Sequence, residues 1–379
     1  MEKIAENKIG NSKINETPFL SICIPTYNKC ERLKENLSNL AKVVQGNDIE
    51  IVVSDNVSTD ATEQIVADVN DSRIVYHRNK TSISGYENWF QSIHLAHGKF
   101  AILFMDRDII NVALIPELID ILRSNSDIAA AYAGGGSEEY EELLCKSVRG
   151  TQRFESKSQE AINTAYQARH PSGNIFNVEI MKAMKLTYLN KDKYRLYENT
   201  YCLIDLILYG DFLKINLPIW FSPNKKYMSQ YRSGVVGRSG VTPYFTPEGK
   251  MRIFLEDADE LQSLSLPIEV KKDIYKTLFK DDLINLAGSH FIPYSSVLWA
   301  HYSIEYKYYR LKQVKENCKK MQELGALTGK KIFGDAFEMI ERDINTGLIS
   351  KSMLIKWRII NISFINPICV RLKALKDKL

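Results

Sequence analysis

The chain has 379 residues, 45% apolar and 25% charged, ordinary globular values that exclude wholesale disorder and a collagen-like chain. At roughly 150 residues per domain, two domains or one large domain with an appendage are expected, with length enough for a core without staples. Lys and Arg number 50 against 46 for Asp and Glu, and the resulting formal charge of +4 is too small to imply nucleic-acid binding.

The six cysteines (Cys23, Cys30, Cys145, Cys202, Cys318 and Cys369) form no C-x-x-C pair and sit in apolar surroundings, as reduced thiols do. Residues 1–16 are polar, lack the apolar run of a signal peptide and read as a flexible arm. No stretch reaches 18 consecutive apolar residues, so no spanning helix is expected and the chain reads as cytoplasmic.

Phe19 to Ile24 is a buried strand stopped by Pro25, followed by helical periodicity from about Glu31 to Val44. Ile49 to Ser54 is a second apolar strand. Asp60 and Glu63 have the spacing of a capping box and open a helix to about Val69. Arg73 to His77 is a third strand. A helix from about Ser84 to Ala96 stops at His97-Gly98, and strands follow at Phe100–Met105 and Ile128–Tyr132. Gly134-Gly135-Gly136 lacks the residues of a phosphate loop and reads as a plain turn. His94 and His97 have a spacing that metals use, but they fit better as cations at a helix C-terminus. Segment 194–209 is helical in pattern, 224–245 is a Gly/Ser/Arg-rich loop, and 246–379 reads as helices rich in Lys and Tyr.

Short, continuous apolar strands alternating with helices predict an α/β, Rossmann-like, mostly parallel sheet flanked by helices, with a helical C-terminal region. Such sheets bind ligands beyond the carboxyl ends of their strands. The polar groups there are Thr26-Tyr27-Asn28, Asp55-Asn56 with Ser58 and Asp60, Asn79-Lys80, and Asp106-Arg107-Asp108. Further along, Asp205 lies between Leu203, Ile204, Leu206 and Ile207, where partial desolvation would raise its pKa and suit a general base. Glu198, seven residues earlier, projects from nearly the same helix face roughly 10 Å away. Arg232, Arg238 and Ser239 in the glycine-rich loop offer bidentate and hydroxyl contacts to phosphate.

The strings Leu20–Asn28 (LSICIPTYN), Val52–Asp60 (VVSDNVSTD) and Phe104–Asp108 (FMDRD), each just after a strand, resemble the family 2 glycosyltransferases over about residues 18–245. That resemblance implies the GT-A nucleotide-sugar-binding fold over 17–245 and an inverting transfer from a nucleotide-sugar, such as a UDP-sugar, to a glycan or lipid-linked glycan of surface polysaccharide. By it, Pro25, Thr26, Tyr27, Asn28 and Asp55 hold base and ribose, Asp106 and Arg107 lie on the donor, and Asn79 and Asn88 line its pocket. Asp108 binds Mg²⁺ or Mn²⁺ on the diphosphate, and Arg232, Arg238 and Ser239 close over it. His170 and Ser172 precede an acceptor-side strand; Ser172 would meet the acceptor and His170 the acceptor or the metal, with a structural histidine as the alternative. The base belongs to an acidic motif near Asp205, preferred over Glu198. Ile109 and Ile204 stand where many members carry acids. Two alternatives therefore stay open, a catalytically inactive glycan-binding or assembly module and another kind of nucleotide-sugar transferase such as a nucleotidyltransferase.

At the C-terminus, Met353, Leu354, Trp357, Ile360 and Phe364 recur at helical spacing beside Lys351, Lys356 and Arg358, with Arg371, Lys373, Lys376 and Lys378 following. Such a helix over 351–379 suits either an anionic membrane face, placing the enzyme on the inner side of the membrane, or packing on its own bundle or a second subunit.

Overall fold

A computed structural model describes residues 17–43, 48–138, 141–184 except 146 and 148, 197–223 and parts of 256–274. The arm 1–16, the loop carrying Arg232, Arg238 and Ser239, Cys318, Cys369 and the segment 351–379 lie outside the described residues. The chain divides into two compact units, 1–233 and 234–379. The second contributes helical residues between 256 and 274, among which Leu261, Leu264 and Ile274 are buried.

In the first unit, β1 (Leu20–Thr26), β2 (Ile49–Asp55), β3 (Ile74–Arg78) and β4 (Phe100–Leu103) form a parallel sheet in the order β3-β2-β1-β4. The right-handed crossovers that such pairing favours carry α1 (Cys30–Val43), α2 (Thr62–Val69) and α3 (Gly85–His94). Strand side chains alternate between two layers. Leu20, Ile22 and Ile24 join Leu33, Leu37 and Leu40 of α1 and, from α4 (Ile115–Ser124), Leu118 and Leu122. On the other face Cys23 Sγ lies 3.4 Å from the Ser92 carbonyl of α3. Fully burying each Leu or Ile is worth about 1.5–3 kcal/mol.

The sheet then changes character. β4 pairs antiparallel with β8 (Asn174–Asn177), which pairs antiparallel with β6 (Ala130–Ser137). β6 runs parallel to β9 (Phe212–Ser222), and β9 also takes β5 (Ile109–Ile110) and β7 (Gly150–Phe154) antiparallel. Antiparallel pairs thus join the parallel ones in this part of the sheet. Its second face carries α6 (Gln159–Gln167), α7 (Val178–Ala183) and α8 (Glu198–Ile207), with the short α5 (Glu141–Cys145) between β6 and β7.

Several local expectations need correction. β1 runs through Pro25 to Thr26. Its pairing with β4 ends at Cys23–Leu103, so the missing Pro25 N–H breaks no bond on that side. The capping box forms at Ser84–Glu87, whose side chains and backbone N–H groups pair reciprocally at 3.1 and 2.9 Å. Asp60 instead accepts from the Cys30 N–H at 3.0 Å and the Thr62 N–H at 3.1 Å, ahead of a helix that starts at Thr62. Gly134-Gly135-Gly136 is strand, not turn. His97 leaves the helix dipole for Glu50, a fully buried carboxylate that accepts from its N–H and lies 3.0 Å from its Nδ1.

The described cysteines, Cys23, Cys30, Cys145 and Cys202, are free thiols. Among the described residues no helix is long and apolar enough to cross a membrane.

Candidate functional site

The carboxyl ends of β1, β2, β3 and β4 meet the amino end of β8, and the polar residues singled out in the sequence gather there. The β1 end is shaped by backbone in rare conformations. Asn28 has φ +53° and Val57 φ +63°, the latter costly for a β-branched residue. Strain of this kind costs about 1–3 kcal/mol and concentrates at functional sites. The Asn28 N–H donates to Ser58 Oγ at 3.0 Å and its Oδ1 accepts from the Thr59 N–H at 2.7 Å, so the β1 and β2 loops clasp each other.

Asp55 is fully buried. Its Oδ1 accepts from the Ser58 N–H at 2.9 Å, and its Oδ2 accepts from Tyr76 at 2.7 Å and Arg78 at 2.6 Å. Burial, and then the bond to Asp55, push the Tyr76 phenol well above its ordinary value. Asp55 therefore supports the pocket wall through Arg78 and Tyr76. Asn88 is likewise committed to its own chain, its amide bonded to both groups of Ser54 and to Asn79 at 2.9 Å. Asn79 also reaches Asn56 at 3.2 Å, and Asn56 fixes Ile83.

Asp106 Oδ2 accepts from the Tyr27 N–H at 3.0 Å, tying the β4 loop to the β1 loop. Burial pushes its pKa up, against the pull of the Tyr27 N–H and the Arg107 charge. Asp108 is fully buried. Its Oδ2 accepts from Ser172 Oγ at 2.6 Å and lies 3.4 Å from His170 Nε2. Its Oδ1 has no hydrogen-bond partner, and the Arg107 guanidinium stands 4.0 Å from it. A buried carboxylate oxygen left this way is costly unless a cation meets it.

Two contacts that the sequence did not reveal hold this turn. Asn36 of α1 donates from Nδ2 to the Asp108 carbonyl at 2.8 Å and accepts from the Ile110 N–H at 3.2 Å. Its signal was a polar residue within the Leu33, Leu37, Leu40 face of an amphipathic helix. Ser172 Oγ also accepts from the Met105 N–H at 2.8 Å, so this fully buried hydroxyl is spent on the Asp108 turn rather than turned toward an acceptor.

His170 stacks on Trp220, with ring centroids 4.0 Å apart and planes 12° apart. Burial holds its imidazole below the ordinary value, the Asp108 charge opposing. Two glycines make room for the indole. A Cβ on Gly135 would stand 2.3 Å from its ring carbons, and one on Gly173, at φ +87°, would stand 2.7 Å from its Nε1 and 2.2 Å from the Ala133 carbonyl. Tyr132 is pushed up to about 12 by burial, with the Asp108 charge adding.

The topology separates the two candidate bases. Asn199, at the start of α8, donates to Asn174 Oδ1 at 3.2 Å and reaches the Ala168 and Arg169 carbonyls, and Asn174 donates to the His170 carbonyl at 2.7 Å. Glu198, buried beside Asn199, therefore starts the helix at the Asp108 end of the sheet. The other end of α8 lies where the Ile207 carbonyl accepts from Ser156 and Lys157, next to Asp211 and the start of β9. Asp205 sits there, about two turns and roughly 10 Å further along the axis. The helix thus begins on the side of Asn174 and His170 and carries Asp205 about two turns further along, next to Asp211.

Among the described residues no three His, Cys, Asp or Glu side chains converge into a metal cage. The donor set still fits a hard divalent cation that arrives with a diphosphate, because Mg²⁺ and Mn²⁺ need only one or two carboxylates when phosphate oxygens and water supply the rest. Asp108 Oδ1 is the atom suited to that role.

Comparison with known proteins agrees with this arrangement. Residues 21–184 match the model of Glycosyl transferase family 2. This segment is similar to family 2 glycosyltransferase domains. It is 35% identical over 114 residues to the abequosyltransferase RfbV of Salmonella typhimurium, covering 29% of this chain and 34% of that protein. It is 32% identical over 135 residues to a dolichol-phosphate mannosyltransferase of Pyrococcus furiosus, covering 34% of this chain and 38% of that one. The matched segment thus spans little more than a third of either relative. The fold is that of S. aureus TarS residues 1–349, solved with UDP-GlcNAc and with UDP. The TM-scores are 0.53 and 0.52 at 16% identity, over 87% of this chain and 92% of that one.

Proposed function

We propose that the protein is a metal-dependent inverting glycosyltransferase that moves a sugar from a nucleotide-sugar to a hydroxyl of a glycan or lipid-linked glycan in surface polysaccharide synthesis. The observation that carries this reading is Asp108, a buried carboxylate whose Oδ1 has no hydrogen-bond partner at the carboxyl ends of the parallel strands. The family 2 match, relatives named as glycosyltransferases and a shared fold with a UDP-sugar complex support it. The last of these makes a UDP-sugar the first donor to try.

A nucleoside diphosphate leaving group gains negative charge as the glycosidic bond breaks, and a bound Mg²⁺ or Mn²⁺ would neutralise it. The chain's own residues do the rest. The clasped Asn28 and Ser58 loops with Asp55, Arg78 and Tyr76 form a fixed wall for base and ribose, so little order is lost on binding. Asp106 holds the β1 and β4 loops at one spacing. Glu198, at the Asp108 end of α8, would take the proton from the acceptor hydroxyl as it attacks the anomeric carbon.

A thermal-shift panel of nucleoside diphosphates and their sugars, with and without Mn²⁺, tests the reading. At 100 times Kd a ligand adds about 2.7 kcal/mol of apparent stability. A Mn²⁺-dependent shift followed by donor turnover supports it. Binding without turnover would make the chain a non-catalytic sugar-binding module, and no shift with any nucleotide would overturn the donor site.

A further inference from the structure

His170 and Ser172 were expected to face an acceptor, yet their hydrogen bonds point elsewhere. The Ser172 N–H donates to His170 Nδ1 at 3.2 Å. With Nδ1 turned to a backbone N–H, the Nε2 side of the ring is the one that faces Asp108. Nε2 lies 3.4 Å from Asp108 Oδ2, a long contact, while Ser172 Oγ donates to the same oxygen at 2.6 Å. Ser172 and the His170 ring both lie on the Oδ2 side, and Oδ1 is left without a hydrogen-bond partner.

The ring cannot readily turn away. One face lies on Trp220 at 4.0 Å, and that indole is seated against Gly135 and Gly173, where any side chain would collide with it. Ser172 is fixed from its other side by the Met105 N–H at 2.8 Å. The residue two before Ser172 and the residue after it, His170 and Gly173, therefore serve one purpose with Trp220, which is to hold a single carboxylate oxygen in place.

We infer that His170 and Ser172 are positioning residues for the donor's cation: they occupy Asp108 Oδ2 and so present Oδ1 as the single carboxylate atom for the metal. The inference rests on the donor reading above. It assigns His170 a role as neither acceptor contact nor metal ligand, since Nδ1 is turned to the Ser172 N–H and Nε2 to Asp108 Oδ2. Metal ligands are commonly oriented by such partners, whose loss costs about 10–100-fold in metal affinity.

The test titrates Mn²⁺ into the full chain with saturating UDP, followed by the electron paramagnetic resonance of free Mn²⁺, alongside UDP affinity without metal and thermal melting. His170→Phe and Ser172→Ala should each weaken Mn²⁺ by about 10–100-fold and leave metal-free UDP affinity within about three-fold. His170→Gln, whose amide can place an N–H near Nε2, should recover most of the loss. Electron spin-echo modulation of the bound Mn²⁺ should show no directly coordinated nitrogen. Unchanged Mn²⁺ affinity in both variants, or a nitrogen coupling that vanishes in His170→Gln, would overturn the positioning role alone. A wild-type protein that takes up neither UDP nor Mn²⁺ would overturn the donor reading and this inference with it.

Discussion

The two halves of the sheet place functional groups by different means. In the parallel half, residues 20–108, each polar group sits at or just past the end of a strand, and the chain needs only the turn after that strand to aim it. Tyr27, Asn28, Asp55, Asn79 and Asp106 all arise this way. In the second half, the groups around Asp108 come from β8, β9, β6 and the start of α8, which are far apart in sequence and meet only through mixed pairing. Local geometry builds the wall around Asn28 and Asp55, and tertiary contact builds the surroundings of Asp108 and Glu198. Substitutions in the second half should therefore affect chemistry and packing together.

The largest expected effect separates the two ends of α8. General-base catalysis is worth about 10²–10⁴-fold, so Glu198→Gln should lower turnover by that much at saturating donor, with donor affinity within a few-fold. Asp205→Asn, at the far end, should stay within a few-fold of wild type. A dead Asp205→Asn beside an active Glu198→Gln would reverse the assignment and return the base to the apolar-flanked carboxylate that the sequence favoured.

A smaller effect divides the glycine triplet of β6. Gly135→Ala would force a Cβ to 2.5 Å from the Trp220 carbonyl oxygen as well as onto its ring. It should cost at least about 2 kcal/mol, visible as a lower urea midpoint, in the range of overpacked cores. At Gly134 the nearest atoms are 3.5 Å or more away, and Ala there should change stability by no more than about 0.5 kcal/mol. Equal costs at both positions would show that the Trp220 seat does not matter.

The smallest belongs to the parallel half. Arg73 reaches Asp71 from Nε at 3.0 Å and Nη2 at 2.6 Å, closing the turn into β3. This pairing lowers the Asp71 pKa, so the folded value lies below the unfolded one. Its stabilisation is then present at neutral pH and fades as pH falls through the folded value. Asp71→Asn should cost up to about 1 kcal/mol at pH 7, since the pair is partly exposed to solvent, and nothing once the wild-type carboxylate is protonated. A pH-independent difference would mean that the charge plays no part.

Legibility in the sequence followed the same division. β1 to β4 are runs of four to seven residues between single helices, and their boundaries were found to within about two residues. β5 has two residues, too few for any periodicity. β7, GTQRF, is largely exposed and carries no alternation. β9 contains Pro218, which argues against a long strand until the register is known. Between Ala133–Ile215 and Gly135–Trp220 the pairing skips, and Pro218 falls in that irregularity, where no ladder bond is lost. The triplet misled for a related reason. Consecutive glycines signal a turn when only backbone freedom is considered, but here Gly135 makes room for the indole of Trp220, 85 residues away, which no local pattern records.

At the site, residue types were legible and the contacts that surround them were not. Asp106 and Asp108 could be named from their place after a strand, but which oxygen of Asp108 remains available depends on Ser172 and His170. Likewise, apolar flanks made Asp205 the natural base, and only the direction of α8 moved the choice to Glu198. Arg232, Arg238 and Ser239 lie outside the described residues, and their contact with the diphosphate remains a proposal of the family resemblance.

The most direct test of the account is calorimetry of UDP binding in the presence and absence of Mn²⁺, on the wild type and on Asp108→Ala. The account predicts that Mn²⁺ tightens UDP binding to the wild type and that Asp108→Ala abolishes this gain while retaining metal-free binding through the wall around Asn28 and Arg78. Equal Mn²⁺ enhancement in the two proteins would contradict it.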